Sequence, residues 1–192
     1  MGTERLEAFT DGVIAIIITI MVLEIKVPPG ATLAALLSGL PILLTYVLSF
    51  VNVGIFWNNH HHMLHAASRV DGRVLWANLF LIFWMSLVPF VIRWIDEAGF
   101  QALPTAAYGM VLAMSAFGYL LLEWALVACN GPSSTLATAV GHDRKGIISL
   151  ALYAIAILLA FVQPWIAIML YVTIALAWLL PDRRIESLNK TD

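Results

Sequence analysis

The sequence predicts an all-α membrane protein with six transmembrane helices per chain. Three observations carry that expectation. Of 192 residues, 61% are hydrophobic and only 11% charged, whereas a soluble domain carries about 25% charged residues. Too little charge remains to cover a water-facing surface. Most apolar stretches match a bilayer crossing in length, the last two being short, and polar breaks separate them; a span with its loop takes roughly 30 residues, so the chain holds about six. The basic residues gather in alternate breaks. The same composition excludes an ordinary water-soluble enzyme, a disordered chain and a nucleic-acid binder. The last needs a basic face, and here Lys plus Arg is 10 against 12 for Asp plus Glu.

Span 1 covers residues 6–25. The segment before it is mixed in charge and lacks the basic region and small-residue cleavage site of a secretory signal, so it is read as a mature first span. Lys26, Pro28, Pro29 and Gly30 close it, because adjacent prolines stop a helix and glycine supplies a turn. Span 2 covers 33–59, with Pro41 expected as a kink, and ends in His60-His61-His62-Met63-Leu64-His65. A polar loop, 68–73, leads to span 3 at 74–92, which holds Pro89 near its end. The acidic loop 93–97 precedes span 4 at 103–126, which has room to continue through Cys129. After a loop at 130–134 and a charged elbow at 142–145, the stretch 146–181 is free of charge. Gln163-Pro164 divides it into spans 146–162 and 165–180, since one unbroken helix would overshoot the hydrocarbon core. The six spans form a single domain over 1–181, followed by a polar tail, 182–192.

The distribution of Lys and Arg orients the chain. With a cytoplasmic N-terminus and six spans, Arg5, Arg69, Arg73, Arg144, Lys145, Arg183, Arg184 and Lys190 all lie inside. Only Lys26 and Arg93 lie outside, so eight basic residues stand against two. Five spans would move the last three outside and erase the bias. The expectation is a multi-pass cell-membrane protein with both termini in the cytoplasm.

The residues with chemical potential concentrate at the start of span 1. Placing an aspartate such as Asp11 inside a span disfavours insertion by roughly 2.5–3.5 kcal/mol, so it must face protein or water. Gly12, Ile16, Thr19, Ile20 and Leu23 fall on one helical stripe, and Asp11 points away from it. Arg5 and Asp11 differ by about 120° around an ideal helix and need a third residue to bridge them. In a single chain the stripe is packing or lipid surface. Around an axis of several copies, the same residues form stacked hydrophobic rings that gate by dewetting, and Thr19 adds a ring of hydroxyls.

His61 and His65 share a helix face, the spacing of two zinc ligands. No carboxylate on that face completes a site unless Asp71 folds back, so the cluster reads as interfacial, with one histidine buried as a hydrogen-bond partner. Trp57, three residues before His60, can screen its imidazole from lipid. Asn78, four residues into span 3, offers two donors and two acceptors, enough to bridge an aspartate and a histidine of other spans. Glu123 lies in span 4 or its loop according to where that span ends. The remaining tryptophans sit mostly near span ends as interfacial anchors. Cys129, the single cysteine, excludes an internal disulfide and reads as a small buried hydrophobe. No nucleotide loop, nucleophile triad, zinc-protease pattern or TVGYG filter occurs, so neither enzymatic activity nor a cofactor is expected.

The pattern Arg5-x-x-x-Phe9-Thr10-Asp11, with the continuation GVIAIIITIMVLEIKVP, resembles the prokaryotic branch of the transmembrane protein 175 family of potassium channels. The family's usual serine is Thr10 here, which keeps the hydroxyl. Ser49-Phe50, Trp57-x-x-His60 and Leu75-Trp76-Ala77-Asn78-Leu79 through Pro89-Phe90 are also similar, so the resemblance covers spans 1 to 3. It implies a homotetramer of six-span chains in which the first helix lines a central pore, with potassium as the permeant and membrane lipid around it. It further implies a hydrophobic constriction at Ile16, Ile20 and Leu23, with a hydroxyl layer at Thr19, in place of a carbonyl filter. Arg5, Phe9, Thr10, Asp11, Trp57, His60 and Asn78 would form a structural polar network, with His61 as a substitute for His60. The competing class is an ion- or proton-coupled secondary transporter, which would carry inverted repeats and interrupted mid-membrane helices; neither is visible. A non-conducting membrane scaffold is a weaker third class.

Overall fold

In a computed structural model of the chain, residues 2–140 and 144–179 are described, and they form helices joined by short turns. In order these are α1 (Glu4–Leu23), α2 (Leu33–Ser38), α3 (Leu40–His65), α4 (Gly72–Ser86), α5 (Val88–Ala98), α6 (Ala102–Asn130), α7 (Thr135–Val140), α8 (Arg144–Ala160) and α9 (Pro164–Leu179). Among the described residues, four segments are long and apolar enough to cross a membrane: α1, α3, α4 with α5, and α6. The expectations for His142, Asp143 and the 182–192 tail lie outside the described residues.

The breaks follow from proline and glycine. The stretch expected as one span from residue 33 is interrupted at Gly39, and Pro41 sits in the first turn of α3. A proline there lacks only an N–H that has no helical partner anyway, so it starts a helix and does not kink one. Pro89 plays the same part in α5, which is offset from α4 at Leu87. Gly99 at φ 77° and Gly131 at φ 95° close α5 and α6 in backbone conformations that L side chains rarely adopt. Asp71 caps α4: its Oδ1 accepts from the N–H groups of Arg73 and Val74, each at 3.0 Å. Those bonds, the Val74 N–H first and then the Arg73 guanidinium, hold its carboxyl below the usual carboxylate range.

The core is built around α6, which packs against α4, α5, α8 and α9. Close approach depends on two of its glycines. A Cβ on Gly118 would lie 2.9 Å from Leu81 Cα of α4, and one on Gly109 would collide with the Tyr171 ring of α9. Tyr108 is fully buried and shares a hydrogen bond of 2.9 Å with Ser49 of α3. Small residues and hydroxyls thus set interhelical distances where lipid offers no hydrophobic drive for association. Against this body α1 lays one face, Leu6, Thr10, Ile14, Ile17 and Met21, onto α3, α4 and α5.

Candidate functional site

The two faces of α1 have opposite fates. The buried face repeats every three or four residues. The other carries Gly12, Ile16, Thr19, Ile20 and Leu23, all exposed in the single chain. Exposure is 59% at Ile16, 40% at Ile20 and 80% at Leu23, against 3% at Ile17. Since both faces are apolar, the rotation of α1 is fixed by polar bonds.

Those bonds form a chain with one direction. Thr10 donates its hydroxyl to the Leu6 carbonyl at 2.9 Å. Its oxygen accepts from Asn78 Nδ2 at 2.9 Å. Asn78 Oδ1 then lies 2.9 Å from His60 Nε2. An amide oxygen only accepts, so His60 carries its proton on Nε2. All three side chains are buried and come from α1, α4 and α3. Asn78 was expected to bridge a histidine and an aspartate; it bridges the histidine and Thr10. Successive helical residues point about 100° apart, so Thr10 faces α4 while Asp11 turns to α3 and accepts from Trp57 Nε1 at 2.9 Å.

Trp57 stacks on His61, ring centroids 6.0 Å apart, one turn along its own helix. His61 Nδ1 lies 2.6 Å from Glu7 Oε1, and His65 Nδ1 lies 3.7 Å from the same oxygen. The carboxylate that no nearby residue supplied to this histidine face therefore comes from α1, not from Asp71, which caps α4. Glu7 was missed because only the tertiary fold brings residue 7 to residue 61. Arg5 and Phe9 are exposed in the single chain, and among the described residues Arg5 has no hydrogen bond or ion pair to Asp11.

At the other end of α1, Lys26 Nζ meets Asp96 Oδ2 at 2.8 Å, and Arg93 Nη1 meets Glu24 Oε2 at 3.4 Å. These pairs join the α1 exit to α5. The Asp96 carboxylate holds the Lys26 ammonium above its ordinary pKa. Thr19 lies between the two ends and donates to the Ile16 carbonyl at 2.8 Å. Glu123 falls inside α6 and is buried.

Comparisons with known proteins align with this segment. The family model described as endosomal/lysosomal potassium channel TMEM175 matches residues 5–89. A potassium channel of Chryseobacterium sp. (strain P1-3) is 50% identical over 186 residues, covering 97% of this chain and 97% of that protein. The crystal structure of a lysosomal potassium-selective channel TMEM175 homolog from Chamaesiphon minutus is similar with a TM-score of 0.79 and 26% identity, over 93% of this chain and 96% of that one. The endosomal/lysosomal proton channel TMEM175 of Homo sapiens is 36% identical over 96 residues, 43% of this chain and 19% of that protein.

Proposed function

The chain belongs to the TMEM175 family of potassium channels, and from that premise we propose that it is a potassium-permeable channel: a homotetramer of six-span chains whose α1 helices line a central pore. The six spans are α1, α3, α4 with α5, α6, α8 and α9. The last two, at 17 and 16 residues, reach roughly 25 Å at 1.5 Å per residue, short of the hydrocarbon thickness and matched by local thinning.

The observation that carries this reading is the uncovered face of α1. A helix held on one side by a buried threonine–asparagine–histidine chain presents a single row of large aliphatic residues on the other. Four copies around an axis turn Ile16, Ile20 and Leu23 into stacked rings that hold water out. An ion must shed hydration to cross, and potassium does so more readily than sodium because its charge is spread over a larger radius. The Thr19 hydroxyl donates back to its own helix, which leaves its oxygen lone pairs for a partly dehydrated cation. Asp11, turned to Trp57, is an anchor and not an ion ligand.

The test is reconstitution into vesicles with a potassium gradient, alongside mass measurement in mild detergent. A tetramer with passive potassium flux, larger and less selective in Ile16→Asn, is the expected result. Strict dependence on a second ion would instead favour a coupled carrier, and a monomer would remove the pore. Because the human relative is named a proton channel, vesicle pH is recorded in the same experiment.

A further inference from the structure

The Glu7–His61–His65 cluster plays no part in the permeation path described above, yet its geometry is specific. Both imidazoles come from the C-terminal end of α3, four residues apart, with ring centroids separated by 4.5 Å. Both present Nδ1 to one carboxylate oxygen of α1, at 2.6 and 3.7 Å, and the three ligand atoms all lie within 4.8 Å of one another. A tetrahedral ion with bonds of about 2.0–2.1 Å sets its ligand atoms about 3.3 Å apart. The observed separations bracket that value, so small rotations of the side chains suffice. Glu7 is not a freely solvated surface acid: its side chain is only 17% exposed. The stacked Trp57 ring limits rotation of His61.

We propose that Glu7, His61 and His65 bind one divalent first-row transition-metal ion of the zinc class per chain, with water in the open position. Two imidazole nitrogens and one carboxylate suit such an ion, whereas magnesium and calcium take oxygen ligands. The metal replaces the direct contact between His61 and Glu7. It ties the start of α1 to the end of α3. On the reading that α1 lines the pore, an occupied site holds the pore helix in place and lowers potassium flux from the cytoplasmic side.

The experiment uses full-length tag-free protein in detergent, titrated calorimetrically with Zn²⁺ and followed by thermal melting. Wild type is expected to bind one Zn²⁺ per chain and to melt at higher temperature with it, while millimolar Mg²⁺ does neither. His65→Ala and Glu7→Gln should each weaken binding about tenfold or more. The His65 side chain is 67% exposed, so His65→Ala should keep the metal-free melting temperature. Zn²⁺ binding that is absent in wild type, or equal in wild type and both variants, overturns the site. In vesicles, Zn²⁺ on the Glu7 side should reduce wild-type flux and spare His65→Ala; binding without that difference overturns the regulatory role. Absence of potassium flux in metal-free wild type overturns the channel reading and the regulation with it, while the titration still decides the site.

Discussion

Asn78 holds the rotation of α1, because its amide is the only group that meets both Thr10 and His60 among the described hydrogen bonds. Asn78→Leu keeps the volume near constant but strands a buried imidazole N–H. An unsatisfied buried donor costs about 1–3 kcal/mol, and the loss should appear as a lower melting temperature of the assembled protein. Thr19→Val makes the opposite separation. Its hydroxyl is exposed and bonds only to its own helix, so stability should barely change while potassium preference over sodium falls several-fold in a bi-ionic reversal potential. An unchanged reversal potential would make Thr19 a packing residue. At this scale the sequence was partly legible. The Thr10-Asp11 pair, His60 and Asn78 were identifiable as polar groups that a span must satisfy. Which one meets which depends on the relative rotation of three helices, so the pairing of Asn78 with Thr10 and His60 is not readable from spacing alone.

At the scale of elements, the apolar stretches were readable from hydropathy, and Gln163-Pro164 marked the break between α8 and α9. The kink expected at Pro41 is instead a helix start, because proline is free of penalty in the first turn and a glycine just before it breaks the ladder. The face that α1 buries was not readable: both faces are apolar, so the 3.6-residue period carries no contrast. Helix contacts are similarly silent in composition and reside in single glycines. Gly118 lets the α6 backbone approach α4, and any Cβ there meets Leu81 Cα at 2.9 Å. Gly118→Ile should therefore separate the two helices and destabilise the protein by about 1–3 kcal/mol, the range seen for overpacked cores. Gly12, where a Cβ meets nothing within 4 Å in the single chain, is the control on α1: Gly12→Ala should leave the fold of each chain intact.

For the whole molecule, a single chain leaves many large apolar side chains exposed. The α1 stripe differs because it lies between two polar ends. At one end Glu7, Asp11 and the histidines gather; at the other Glu24, Lys26, Arg93 and Asp96 form ion pairs. A helix with charged and polar groups at both ends and an aliphatic middle fits a conduit with two mouths and a dry constriction. The number of copies around the axis is invisible to periodicity in one chain, since symmetry is a property of the assembly.

Cysteine accessibility can show whether the Ile16–Thr19–Ile20–Leu23 face lines the ion path. In a Cys129→Ala background, cysteines are placed singly at Ile16, Ile20 and Leu23, and at Ile17 on the buried face. Potassium flux through the reconstituted protein is then recorded before and after a small charged thiol reagent. Modification at Ile20→Cys and Leu23→Cys, and at Ile16→Cys when the pore opens, should change flux sharply, while Ile17→Cys, only 3% exposed in wild type, should not respond. Flux that is indifferent at all three stripe positions, or sensitive at Ile17→Cys alone, would place the ion path on another helix face.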